Sequence, residues 1–106
     1  MSNKIIVIET TIDDKKQAEK ISRVLVEEKL VACAQISSPI ESVYTWQQKV
    51  CTEQEFRIVF KTLKELQTKV EARIKELHPY EVAEIVFFEK ECSAEYFEWL
   101  KEECEN

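Results

Sequence analysis

Not one glycine occurs in the 106-residue chain. A phosphate-cradling P-loop, a dinucleotide fingerprint and an EF-hand turn each need glycine where the backbone turns sharply or meets a ligand. Enzymes built on those loops are therefore excluded. Clustered positive charge is missing too: the net charge is −6 and no run of Lys and Arg exceeds two residues. Nucleic acid and anionic membrane are poor partners for such a surface. The N-terminal apolar run, Ile5 to Ile8, is too short for a signal-peptide core or a membrane span, which predicts a cytosolic chain. The four cysteines, Cys33, Cys51, Cys92 and Cys104, form no C-x-x-C pair. Zinc-finger spacing is thus absent, and reduced thiols are expected in that compartment. With one histidine in the chain, a multi-histidine zinc site would have to span subunits.

What is present describes a soluble globular protein, 44% hydrophobic and 34% charged. A chain this long makes one domain, residues 1–106, and buries roughly two-thirds of its unfolded surface. Lys4 to Thr10 reads as a strand apolar on both faces. Thr11 or Asp13 is placed to cap the helix that follows, which carries Ala18, Ile21, Val24, Leu25 and Glu28 at helical spacing. Val31 to Ile36 is a second strand. Pro39 removes a ladder donor and belongs at an edge or bulge. Ile40 to Trp46 then continues as an extended arm, and Gln47-Gln48 turns it back into a strand running to Lys61. That hairpin turn lacks the usual glycine.

Thr62-Leu63-Lys64-Glu65 has the form of a capping box, and Leu66, Val70, Ile74 and Leu77 make the buried stripe of the next helix. Glu84 to Phe88 reads as the last strand. Ser93 is a cap for a short final helix facing inward with Tyr96, Trp99 and Leu100. An internal echo pairs Ile6-Val7-Ile8-Glu9-Thr10 with Ile58-Val59-Phe60-Lys61-Thr62. The order βαβ-βαβ predicts an α+β, ferredoxin-like antiparallel sheet with an extended hairpin and helices on one face. Strands apolar on both sides then need a second subunit over the bare face.

Chemistry concentrates in Leu77-His78-Pro79-Tyr80-Glu81-Val82-Ala83-Glu84-Ile85. Pro79 cannot continue a helix and biases His78 out of helical backbone, so the helix stops there. His78 is either a metal ligand or acid/base group, or a helix-terminal side chain held by a backbone carbonyl. Glu81 and Glu84 suit acid/base work or metal binding, or stand as solvated carboxylates among the 21 acidic residues. A strand period would put them on opposite faces. Tyr80 lines a polar pocket or simply packs. Cys33, between alanines, reads as a small core side chain, and Cys51 as a more exposed thiol or soft ligand. Tyr44 and Trp46 on the arm read as interface anchors.

Ala32-Cys33-Ala34, Tyr44-Thr45-Trp46, Lys61-Thr62, His78-Pro79-Tyr80-Glu81 with Glu84-Ile85, and Tyr96 with Trp99-Leu100 together resemble the CutA divalent-cation tolerance family. The resemblance runs from about Ile5 to Leu100. It implies a ferredoxin-like homotrimer, PII-like in architecture. It also implies a link to copper and other divalent cations, and no established catalytic activity. The family's inter-subunit cleft maps onto Cys33, Lys61, His78, Tyr80, Glu81 and Glu84. Departures are Gln35, Gln48 and Ala83, where the family usually has asparagine, glycine and proline. The expected function is trimeric divalent-cation binding in metal-ion homeostasis, with His78, Glu81 and Glu84 as metal donors for Cu²⁺ or another divalent ion. Cys33, Lys61 and Tyr80 would line the rest of the cleft. The alternative is a PII-like regulator taking a small anion, favoured by Lys61. An enzyme pairing His78 with Glu81 is a third reading that nothing in the spacing requires.

Overall fold

The computed structural model describes residues 3–104. Along the chain lie β1 (Lys4–Ile12), α1 (Lys15–Glu27), β2 (Cys33–Ile36), β3 (Ile40–Trp46) and β4 (Lys49–Thr62). A single 3-10 turn (Lys64–Leu66) leads into α2 (Gln67–Leu77), followed by β5 (Val86–Glu91) and α3 (Ala94–Cys104). The sheet order is β2-β4-β1-β5, with β3 pairing only with β4, and all pairings are antiparallel. This is the split βαβ order the sequence predicts, with the β3–β4 hairpin projecting from it.

One face of the sheet carries Ile6, Ile8, Ile12, Ile58 and Phe60. They pack on Ala18, Ile21 and Leu25 of α1 and on Val70 and Ile74 of α2. Each large side chain removed from water there contributes about 1.5–3 kcal/mol. The opposite face is not bare, contrary to the expectation that helices cover one side only. Leu100 and Cys104 of α3 bury Ile5, Val7 and Leu63 there. The helix covers only part of that face, so Val86 and Phe88 of β5 stay exposed.

Several local expectations are corrected. Asp14, not Thr11 or Asp13, caps α1 by accepting from the Gln17 N–H at 3.1 Å. The capping box is not formed: Thr62 ends β4 and spends its hydroxyl on the Leu30 carbonyl at 2.6 Å, and α2 starts at Gln67 with no side-chain cap. β5 begins two residues later than the expected Glu84, at Val86. Ser93 does cap α3, accepting from the Tyr96 N–H at 3.2 Å. Trp99, however, is exposed, while Leu100 and Cys104 are the buried members of α3.

A chain without glycine must place other residues in left-handed backbone. Lys29 does so past the end of α1 with φ 61, and Gln47 and Gln48 do so in the hairpin turn with φ 50 and 68. Positive φ at both central residues is the turn geometry that matches strand twist. The tight hairpin is therefore kept, at a steric cost glycine would avoid. Arg73 of α2 holds Glu28 past the end of α1 through two bonds, Nε to Oε1 at 3.0 Å and Nη2 to Oε2 at 2.8 Å.

Candidate functional site: an acidic, tyrosine-lined groove

α2 ends at Leu77, and His78 is extended with φ −80 and ψ 132. Its own N–H still closes the last helical turn on the Ile74 carbonyl at 2.8 Å. The side chain turns inward and is 7% exposed. Nε2 lies 2.8 Å from the Thr11 carbonyl oxygen, and the Tyr80 N–H donates to Nδ1 at 3.2 Å. A carbonyl only accepts, so Nε2 carries the proton and Nδ1 offers its lone pair to Tyr80. The neutral imidazole satisfies both bonds at once. The Tyr80 ring stands edge-on to it, with centroids 4.6 Å apart.

The Tyr80 hydroxyl in turn donates to Glu55 Oε2 at 2.7 Å. Burial, then this bond, pushes the Tyr80 phenol well above the ordinary tyrosine pKa. Glu55 is itself buried, 6% exposed. Two residues earlier on the same face of β4, Glu53 accepts from the Tyr44 hydroxyl at 2.7 Å. That bond first, and lost hydration second, pushes the Tyr44 phenol up to about 12.

The hairpin and the 78–85 turn thus enclose a groove of two adjoining recesses. One, about 390 Å³, is bordered by Glu55 and Glu84. The other, about 240 Å³, is bordered by Asp13, Glu53 and Glu81. Tyr44, Tyr80 and Val82 border both, and among the described residues no Lys, Arg or His lines either recess. Glu84 accepts from Arg57 Nη1 at 3.2 Å, and the same nitrogen reaches Glu9 at 3.1 Å.

Residues 6–103 match the family model described as CutA1 divalent ion tolerance protein. The chain belongs to that family. The divalent-cation tolerance protein CutA of Thermus thermophilus is 39% identical over 97 residues, covering 91% of this chain and 94% of the relative. The CutA of Pyrococcus horikoshii is 35% identical over 100 residues, covering 93% and 97%. The crystal structure of CutA1 from Ehrlichia chaffeensis superposes with a TM-score of 0.93 at 31% identity, covering 100% of this chain and 99% of that one.

Within one CutA-family subunit the predicted cleft residues separate into two groups. His78, Tyr80 and Glu81 border a small recess of about 280 Å³ at the end of α2, next to the groove that Glu84 lines. Cys33 and Lys61 face each other across β2 and β4, and Lys61 Nζ lies 5.7 Å from the Tyr96 ring centre. Lys61 is six positions along β4 from Glu55, roughly 20 Å at strand rise. Cys51 is half-buried on the hairpin, its Sγ 3.7 Å from the Lys49 carbonyl oxygen.

A metal ion does not fit His78 as it stands, because both ring nitrogens are already engaged. Among the described residues no three His, Cys, Asp or Glu side chains converge as a metal-binding group. The carboxylates are spread along the groove instead. Sequence reasoning does not single out Glu53 or Glu55, and it reads Asp13 only as a helix cap. The available signal was Glu55 directly before Phe56, at the point where β4 leaves the arm and enters the core.

Proposed function

We propose that this CutA-family chain works as a homotrimer in divalent-cation tolerance. It binds copper or another divalent cation at the mouth of the groove, in the cytoplasm and without a catalytic step of its own. The observation that carries the reading is the set of five carboxylates, Asp13, Glu53, Glu55, Glu81 and Glu84, bordering the groove with no basic side chain among its lining residues. Glu81 and Glu84 are exposed at the mouth, where a neighbouring subunit completes a donor set that one chain lacks. His78 joins a metal only by giving up Thr11 or Tyr80. An anion-binding, PII-like role has less support, since Lys61 lies at the other end of the sheet from these carboxylates.

The test pairs light scattering with calorimetry of Cu²⁺, Zn²⁺ and Mn²⁺ at fixed ionic strength. The expected result is a trimer mass, and an affinity that falls about tenfold, near 1.4 kcal/mol, in Glu81→Gln/Glu84→Gln. A monomer mass, or unchanged affinity for all three ions, overturns the reading.

A further inference from the structure

We propose that the recess between α1 and the open edge of β2 takes an extended peptide of a partner protein as an added strand, an apolar residue flanked by basic ones. β2 ends the sheet order, and among the described residues no strand pairs with its far side. Along an antiparallel pair, bonded and non-bonded positions alternate. The Ser37 N–H donates to the Arg57 carbonyl at 2.9 Å, and Gln35 lies opposite Val59, so the bonded positions of β2 are Cys33 and Gln35. The N–H and C=O groups of Ala34 and Ile36 therefore point away from β4. Their side chains lie on the α1/α2 face, where they border a recess of about 320 Å³ with Ser22 and Val26 of α1. Unpaired backbone beside a pocket for alternate side chains is the arrangement by which a sheet edge binds an extended chain.

Ser22 is the group that points to an occupant. It is 8% exposed, and among the described residues its buried hydroxyl has no hydrogen-bond partner. A hydroxyl withdrawn from water in that state is unfavourable until a partner arrives, and a chain seated between β2 and α1 supplies one. The rim selects the kind of peptide. Glu19 and Glu27 border the recess four residues either side of Arg23. None of the three makes an ion pair among the described residues, so the rim carries one net negative charge. On a strand whose apolar residue enters the recess, the residues two positions before and after share its face, and Lys or Arg there complements the rim. A second copy presenting its own open edge, β5, fits worse. Phe87 would enter the recess, but Glu89 and Glu91 follow on the same face and meet Glu19 and Glu27.

The experiment titrates the full-length protein by calorimetry with the blocked peptide acetyl-Lys-Thr-Leu-Thr-Lys-amide. Two control peptides each change one feature: a methyl group on the leucine nitrogen, which removes the donor facing β2, or glutamate in place of both lysines. Each control is expected to bind at least about tenfold more weakly. Ala34→Pro removes the outward N–H and leaves the ladder to β4 intact, because proline is tolerated where an edge N–H faces away from the sheet. It should weaken binding by a similar factor, and Ser22→Ala by a smaller one. No binding of the first peptide, or equal affinity for all three, overturns the proposal, as does full affinity in both variants. A reduced scattering mass of Ala34→Pro also overturns it, by assigning the edge to a second copy. If Ala34→Pro fails to fold, the methylated peptide decides alone, since it leaves the protein untouched.

Discussion

His78 Nε2 donates to the Thr11 carbonyl oxygen at 2.8 Å, across 67 residues of sequence. The chain's one imidazole therefore ties the end of α2 to the end of β1. Its other nitrogen fixes Tyr80, the residue that reaches Glu55. Of the two readings that the sequence leaves open for His78, the fold shows the helix-terminal side chain held by a backbone carbonyl, and that anchor sets the shape of the groove.

The imidazole should accordingly be locked in one tautomer. Long-range ¹⁵N–¹H correlation spectra are expected to show the proton on Nε2 and a bare Nδ1. A proton on Nδ1 would contradict both hydrogen bonds. His78→Ala leaves the Thr11 carbonyl without its donor, a loss of about 1–3 kcal/mol before any cavity is counted. Urea unfolding of the variant measures it.

The groove also fixes a pH response at Tyr44. Its folded-state pKa is raised to about 12 by Glu53, above the ordinary value of about 10. A raised pKa means the bond's stabilisation is fully present below pH about 10 and is lost as pH climbs through about 12. Absorbance titration at the phenolate band should show a transition near pH 12 in the wild type that disappears in Tyr44→Phe. A Tyr44 transition at the ordinary value would show that the bond to Glu53 does not persist in solution.

Sequence reasoning succeeds here where the signal is local. Pro79 stops α2 at the residue before His78, and Gln47-Gln48 turns the hairpin at the expected place. It fails where a local pattern has competing uses. Thr62-x-x-Glu65 has the letters of a capping box, but Thr62 sits on β4 opposite Ile6 and its hydroxyl is claimed by Leu30. The groove was half legible: Tyr80, Glu81 and Glu84 stand in one short segment. Glu55, 25 residues away from Tyr80, becomes a neighbour only once the hairpin folds back. Trp99 was misplaced because helical spacing gives the face of α3 but not how far the sheet extends beneath it.

The glycine-free hairpin turn predicts an easy stabilisation. Gln48 holds φ 68, where a side chain costs about 1–2 kcal/mol relative to glycine. Gln48→Gly should therefore raise stability, by up to about 1 kcal/mol after the entropy glycine adds to the unfolded chain. Thermal or urea unfolding reads the gain. A destabilised variant would mean that the Gln48 side chain makes a compensating contact, for instance across subunits.

The last prediction concerns the half-covered face of the sheet. Phe88 lies opposite Val7 on that face, beyond the reach of α3, and is 39% exposed in the subunit. Val86 and Trp99 are similarly exposed, and Trp46 projects from the arm. Exposed apolar side chains of this kind favour association, at about 25 cal/mol for each Å² withdrawn from water. If the trimer is built on this face, Phe88→Glu forces a charge into it. That variant should elute and scatter as a monomer while keeping the far-ultraviolet circular dichroism of the wild type, because the α1/α2 core is on the other side of the sheet. Trp46→Ala should loosen the trimer without dissolving it, raising the concentration at which it dissociates. A Phe88→Glu protein that stays trimeric would move the interface off this face and onto the hairpin arms alone.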